Sequence, residues 1–338
     1  MPKFLIIGHG LAGAVLAHTL LSKGKEVMVI DQNLALSASS VSVGLVNPLI
    51  GPKLNLPINL VECLEANQLC YGQLEQIWEK ELYTSIRFHR IFKSEKQKSI
   101  WEKKSTNPML AIFFGKHIER KEYEKVGIKA DYGGGITQQT FRLDVSAFLS
   151  SSKEYLKSID SWSREKFDLE KCSPQYKIIF CEGHRVIDNP WFNYLPFAPA
   201  RGEVLKVQSD QEESISNGTW FLPDSLGQAK IGSTWDHENI SLEKSDIGRK
   251  EILENCIFFP SSEFEILQHS SGVRSGTKDR NPMIGRHPNH SNLFLFNGFG
   301  SRGTSTIPYY ANHMTNFLLQ DQELPQDANL NRFKNEIS

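Results

Sequence analysis

The 338-residue chain has no apolar run as long as a membrane span, so no transmembrane helix is expected. It also lacks an excess of either charge. Lys and Arg number 38 against 39 Asp and Glu, a formal net charge of -1 that gives no global pull toward nucleic acid or an anionic surface. Cysteine is sparse: Cys63, Cys70, Cys172, Cys181 and Cys256 are scattered, odd in number and without metal-ligand spacing. Neither a disulfide framework nor a metal site is expected. Cys63 and Cys70 fit one helix face, but buried free thiols are the simpler account. Apart from Lys3 no basic segment precedes the first apolar stretch, so no secretory leader is expected and a reducing cytoplasm fits. Repeats and low-complexity linkers are missing too. What remains is an ordinary globular composition, 39% hydrophobic and 23% charged, long enough for two lobes with cores.

The most informative segment comes first. Residues 3–7 (KFLII) read as a short buried strand, followed at once by Gly8-His9-Gly10-Leu11-Ala12-Gly13 and a helix from Ala14 to Leu21. Gly8 permits the tight turn, Gly10 lets backbone approach a pyrophosphate, and Gly13 lets helix lie close on strand. The helix start, with Leu11 and Ala12, aims N–H groups and the positive dipole end at phosphates. A second strand, Glu26 to Ile30, ends in Asp31 and Gln32, with Asp31 placed to accept from a ribose hydroxyl. An adenine dinucleotide is the expected ligand.

Further along, residues 37–48 (SASSVSVGLVNP) are small and hydroxylated. They read either as a polar loop or as a surface that wraps a cofactor through Ser39, Ser40, Gly44 and Leu45. Ile58 to Lys80 has the period of a long amphipathic helix. Arg90, Lys93, Lys96, Lys98, Lys103 and Lys104, interleaved with Phe92 and Trp101, resemble an RNA-contacting stretch, but Glu95 and Glu102 interrupt it. A solvated mixed-charge face is preferred there. Gly133-Gly134-Gly135 reads as a hairpin turn or bulge. Helices are expected over Phe141 to Leu156 and Ile247 to Cys256. Strands are expected at Tyr176 to Phe180, ending in Cys181-Glu182-Gly183, and at Gly202 to Val207, Trp220 to Pro223 and Ala229 to Gly232. A last strand, Leu293 to Phe296, leads through Asn297-Gly298-Phe299-Gly300-Ser301-Arg302-Gly303-Thr304 into a helix from Ser305 to Leu319, a second glycine-rich strand-to-helix turn.

Taken in order, GHGLAG with Asp31, SASSVSVGLVNP, IIFCEG, RGEVLKV, IGSTW, SGVRSGTKDRNPMIG and NGFGSRGT resemble the FAD-dependent D-amino-acid oxidase and glycine oxidase family over essentially the whole chain. The closing block is also similar to the FAD domain of the bifunctional enzyme that modifies the tRNA wobble uridine, although this chain length leaves no room for that enzyme's methyltransferase half. The resemblance implies an α/β fold: a Rossmann-like FAD-binding domain assembled from residues 1–80, 141–200 and 265–338. An α+β, mixed-sheet substrate domain formed by residues 81–140 and 201–264 is inserted into it. It implies FAD as cofactor, and non-covalent FAD, because no cysteine precedes Thr277-Lys278-Asp279 where some relatives attach the flavin.

The implied activity is oxidation of the carbon–nitrogen bond of an amino acid or other small carboxylate-bearing amine. Hydride passes to flavin N5, the resulting imine hydrolyses, and dioxygen is the expected electron acceptor. Two alternatives stand beside it: an oxidase acting on a carboxymethylamino-modified tRNA wobble nucleoside, and a flavin-binding protein without turnover. No membrane partner is expected, and no nucleic acid other than tRNA. Cys181, Gly183, Gly300, Ser301, Arg302, Gly303 and Thr304 join the N-terminal loop as expected cofactor contacts. Arg274 matches the family's carboxylate-binding arginine, with a salt bridge to Asp279 as its structural alternative. Arg302 adds positive charge at the flavin's pyrimidine edge, binds substrate, or points to solvent while its backbone does the work. His269 is a candidate for deprotonating a substrate ammonium, although a lone histidine is more often structural. Trp220 and Trp235 are candidates for the pocket wall, with core packing as their structural alternative, and Arg201-Gly202 is a candidate neighbour of the flavin ring.

Overall fold

In the computed structural model the described residues are 4–32, 37–173, 175–224, 226–259 and 264–336. Segments from both halves of the chain build a six-stranded sheet. Its order is Met283–Arg286, Leu293–Asn297, Lys177–Phe180, Phe4–Ile7, Val27–Ile30, Trp162–Ser163. All neighbours run parallel except the edge hairpin between Met283–Arg286 and Leu293–Asn297. Phe4–Ile7 and Leu293–Asn297 are buried at every position, as parallel strands covered on both faces must be. Helices Leu11–Ser22, Leu60–Trp78, Val145–Ser158 and Gly303–Gln320 cover one face, through a core that includes Val15, Tyr71, Phe148 and Met314. Phe180, Phe192, Leu195 and Met283 form a second core that also takes in Leu5 and Ile7.

An eight-stranded sheet follows the order Ile266–Arg274, Ala200–Gln208, Gln228–Gly232, Trp220–Pro223, Ser214–Ser216, Phe88–Ile91, Gly134–Thr137, Phe114–Ile118. Strand Ile266–Arg274 therefore belongs to this sheet, although residues 265–338 were expected in the cofactor domain. It pairs along its length with Ala200–Gln208. The three glycines 133–135 form no hairpin tip: Gly134 and Gly135 sit inside a strand paired on both sides. Gly135 is needed there because a Cβ would enter the Trp101 ring. A small sheet of Leu45–Val46, Phe141–Leu143 and Tyr83–Ser85 lies beside the two large ones, so the helix expected from Phe141 starts only at Val145, capped by Asp144.

Candidate active site

After the adjacent strands Phe4–Ile7 and Lys177–Phe180 the connections part: the first stays in the six-stranded sheet and returns as Val27–Ile30, the second crosses to Ala200–Gln208 of the eight-stranded sheet. Open α/β sheets bind ligands at such a switch point. There Gly8 takes φ +101°, and a Cβ on it would sit 2.7 Å from the Cys181 carbonyl. Gly13 is equally constrained, since its Cβ would overlap the Gly8 carbonyl oxygen. Gly10 is different: it caps helix Leu11–Ser22 and faces a cavity of about 1270 Å³. The Leu11 N–H donates to Ser39 Oγ at 3.0 Å, and the His9 N–H donates to Asp31 Oδ2 at 2.6 Å. Hydroxyl, carboxylate and helix start thus converge on one wall. The start of helix Gly303–Gln320, reached through Gly300 at φ +56°, lines the same cavity. Two helix N-termini, an open glycine and a terminal acid fit the pyrophosphate and ribose of FAD, in a space larger than the ~300–1,000 Å³ of an ordinary ligand pocket.

Beneath this loop His9 Nε2 and His18 Nε2 lie 2.9 and 2.8 Å from the same Ser152 Oγ. Burial holds His9 near pKa 4 and His18 near 3, so both rings are neutral at pH 7. Cys181 is buried and its thiol is pushed well above its ordinary value, which leaves it chemically inert.

Gly8, Gly10, Leu11, Ala12, Asp31, Gln32, Ser39, Ser40, Leu45, Cys181, Gly183 and residues 300–304 all line the cavity. Gly13 and Gly44 do not. Gly44, at φ +69°, lies against the Leu143 carbonyl and serves the turn into strand Leu45–Val46.

Arg274 ends its strand inside the cavity. Its Nη2 donates to Ser233 Oγ at 2.7 Å, and its Nη1 to the Thr234 and Arg201 carbonyls at 3.2 and 3.4 Å. The Trp235 ring centroid lies 4.7 Å from the guanidinium carbon. Among the described residues no carboxylate pairs with Arg274. Asp279 bonds Arg332 instead, at 2.8 Å. Desolvation draws Arg274 down to about 10, so it stays charged at neutral pH. Gly202 makes room for it, because a Cβ there would overlap the guanidinium.

Other candidates stand elsewhere. His269 does not line the cavity; its Nε2 is 2.6 Å from Oε2 of Glu203, which is 0% exposed and also accepts from Ser245. A histidine held this way braces the back of the sheet and is not placed to take a substrate proton. Arg201 is similarly absorbed, by Asp236 at 2.9 Å and Glu203 at 3.5 Å. Arg302 lines the cavity, but its Nη2 donates to the Arg280 carbonyl at 3.1 Å. Trp220 is on the cavity wall, whereas Trp235 is exposed beneath Arg274. Sequence reasoning missed Arg90 and Asn217, both buried and both lining the cavity. The signal was the apolar frame around Arg90 in strand Phe88–Ile91, which the neighbouring lysines obscure.

Residues 158–317 match the family model described as FAD dependent oxidoreductase. The bifunctional protein MnmC of tRNA 5-methylaminomethyl-2-thiouridine biosynthesis from Campylobacter jejuni is 25% identical over 303 residues, covering 84% of this chain and 46% of that protein. Its counterpart from Actinobacillus pleuropneumoniae is 22% identical, over 95% and 56%. This chain thus spans about half the length of the curated relatives it matches. Among solved structures, iminodiacetate oxidase from Chelativorans sp. BNC1 superposes with TM-score 0.79 at 17% identity, over 98% of both chains. Glycine oxidase from Geobacillus kaustophilus gives 0.79 at 15% identity, over 95% of both. Residues 158–317 thus form an FAD-dependent oxidoreductase domain of the D-amino-acid oxidase type, the fold is that of FAD-dependent oxidases, and FAD is the cofactor.

Proposed function

We propose that this enzyme oxidises the carbon–nitrogen bond of a small carboxylate-bearing amine, an amino acid or an N-substituted glycine, with dioxygen as acceptor. The observation that carries this is Arg274: a desolvated guanidinium in the cofactor cavity, held by neutral groups and without a carboxylate among the described residues. A planar fork so placed grips a substrate carboxylate through two parallel hydrogen bonds and fixes the α-carbon. Bound FAD supplies the hydride acceptor for that carbon. The protein's task is then orientation and exclusion of water, with the amine entering unprotonated and no side chain required as base. Gly202, which lines the cavity, leaves the space that the Arg274 guanidinium fills and so lets the fork stand on the cavity wall.

An anaerobic screen of amino acids and N-substituted glycines, following loss of the oxidised flavin band, tests this. At least one carboxylate-bearing amine should bleach the flavin, and its decarboxylated counterpart should not. Bleaching by both alike would remove the carboxylate from the account.

A second reading, oxidation of a carboxymethylamino group on a tRNA nucleoside, is favoured by one feature. The exposed Lys53, Lys93 and Lys96 line the same cavity. Faster bleaching by tRNA carrying that group than by the free amino acid would select it.

A further inference from the structure

Arg90 lies in strand Phe88–Ile91 between Ser216 and Gly135 of the neighbouring strands, and it is 6% exposed. Its one hydrogen bond among the described residues runs from Nη2 to the Gly51 carbonyl at 3.1 Å, and its Nε is buried without a partner. No acid pairs with it among those residues, in contrast to Arg201, which holds Asp236 and Glu203. Burial draws it down to about 10, still charged at neutral pH. A buried guanidinium left this way is costly unless something else occupies its donors. Asn217 follows Ser216, is 2% exposed, and has both Nδ2 and Oδ1 without partners. Lys93 completes the group: a Cβ on Gly218 would be 3.3 Å from its Nζ.

All of these residues line the cavity. Its acidic lining residues, Asp31, Glu165 and Glu182, come instead from segments of the six-stranded sheet and its loops. Guanidinium, ammonium and carboxamide together present donors suited to an oxyanion.

We infer that Arg90, with Lys93 and Asn217, forms a second anion subsite, which takes a carboxylate or phosphate at the far end of the amine substrate. Because the identity of the near end rests on the proposed amine oxidation, the two must be tested apart. Strand order supports the separation of the ends. Arg274 and Arg90 lie five strands apart, roughly 24 Å between backbones at the usual spacing, with Trp220 between them. A lone glycine cannot touch both.

The first test is equilibrium binding of inorganic phosphate and of acetate to FAD-loaded enzyme by calorimetry, so that the cofactor cradle is already filled. Measured in Arg274→Ala enzyme, so that the other guanidinium takes no anion, phosphate or acetate binding should weaken at least tenfold on adding Arg90→Met and measurably on adding Lys93→Met, whose exposed side chain makes misfolding no explanation. Arg90-dependent binding with no amine able to bleach the flavin would sink the amine-oxidase proposal and leave the subsite standing. Binding unchanged by both variants would overturn the subsite. The second test compares N-carboxymethylamines whose alkyl tail ends in a phosphate, a carboxylate or an alcohol. An anionic tail should lower KM at least tenfold relative to the alcohol, the better of the two identifying the group, and Arg90→Met should abolish that ratio. Equal KM values across the three would also overturn it.

Discussion

Arg274 is fixed by a hydroxyl, two carbonyls and an aromatic face, none of which cancels its charge. Arg274→Ala should therefore leave FAD bound while kcat/KM for a carboxylate-bearing amine falls about a hundredfold, on the order of 3 kcal/mol. Arg274→Lys should recover little, since an ammonium lacks the fork. Gly202→Ala should raise KM by displacing the same guanidinium, and stopped-flow flavin reduction would separate these effects from cofactor loss. A different residue pair controls the acid limit. Unfolded, His9 and His18 titrate near 6.5; folded, they are held near 4 and 3. Through that window the unfolded chain binds more protons, so stability is complete above about pH 6.5 and is lost as pH falls through the folded values. His18→Phe, which keeps a ring against Trp78, should flatten the fall in denaturation midpoint between pH 7 and 5. Arg274 was legible because it stands in the Gly272-Val273-Arg274 motif. Arg90 was not: one-dimensional charge patterning cannot tell a lysine on a helix from an arginine turned inward from the preceding strand.

The turn between strand Phe4–Ile7 and helix Leu11–Ser22 contains two kinds of glycine. Gly13 cannot carry a Cβ because the Gly8 carbonyl occupies its place, so Gly13→Val should fail to give folded protein. Gly10 faces the cavity, with only Ser39 Oγ near, 3.2 Å from the position of a Cβ. Gly10→Val should fold and lose FAD, which circular dichroism and flavin absorbance would show separately. Elements with strong periods were legible: strands Lys177–Phe180 and Leu293–Asn297 and helices Leu60–Trp78 and Gly303–Gln320 fall within a few residues of expectation. Elements set by distant partners were not. The three glycines around residue 134 look like a turn until Gly134 is seen against the Arg90 carbonyl and Gly135 against the Trp101 ring. Strand Ile266–Arg274 joins the second sheet because its partner Ala200–Gln208 lies there, which no local pattern reveals.

Across the whole molecule, the cavity gathers side chains from Ile7 to Ile307 and from both large sheets. Ligand binding there holds distant parts of the chain together. FAD at a hundred times its dissociation constant should add about 2.7 kcal/mol, raising the Tm by roughly 4 °C over the apoprotein in calorimetry. Because Arg274, Ser275 and Gly276 ahead of Thr277 offer no cysteine, acid precipitation should release the flavin into the supernatant. Yellow precipitate would contradict this. The two-sheet architecture was legible through the ordered motifs, whereas the exchange of strands between sheets depends on tertiary pairing alone.

The central strand Phe4–Ile7 has one partner close in sequence, Val27–Ile30, and another, Lys177–Phe180, that pairs in turn with Leu293–Asn297. On a ribosome adding about 5–20 residues per second, Lys177–Phe180 emerges roughly 9–35 s after Phe4–Ile7. For that interval a fully apolar strand waits with one edge unpaired, open to other nascent chains. A cofactor cradle built from strands so far apart in sequence thus leaves the growing polypeptide with an exposed apolar edge until the second strand has been made.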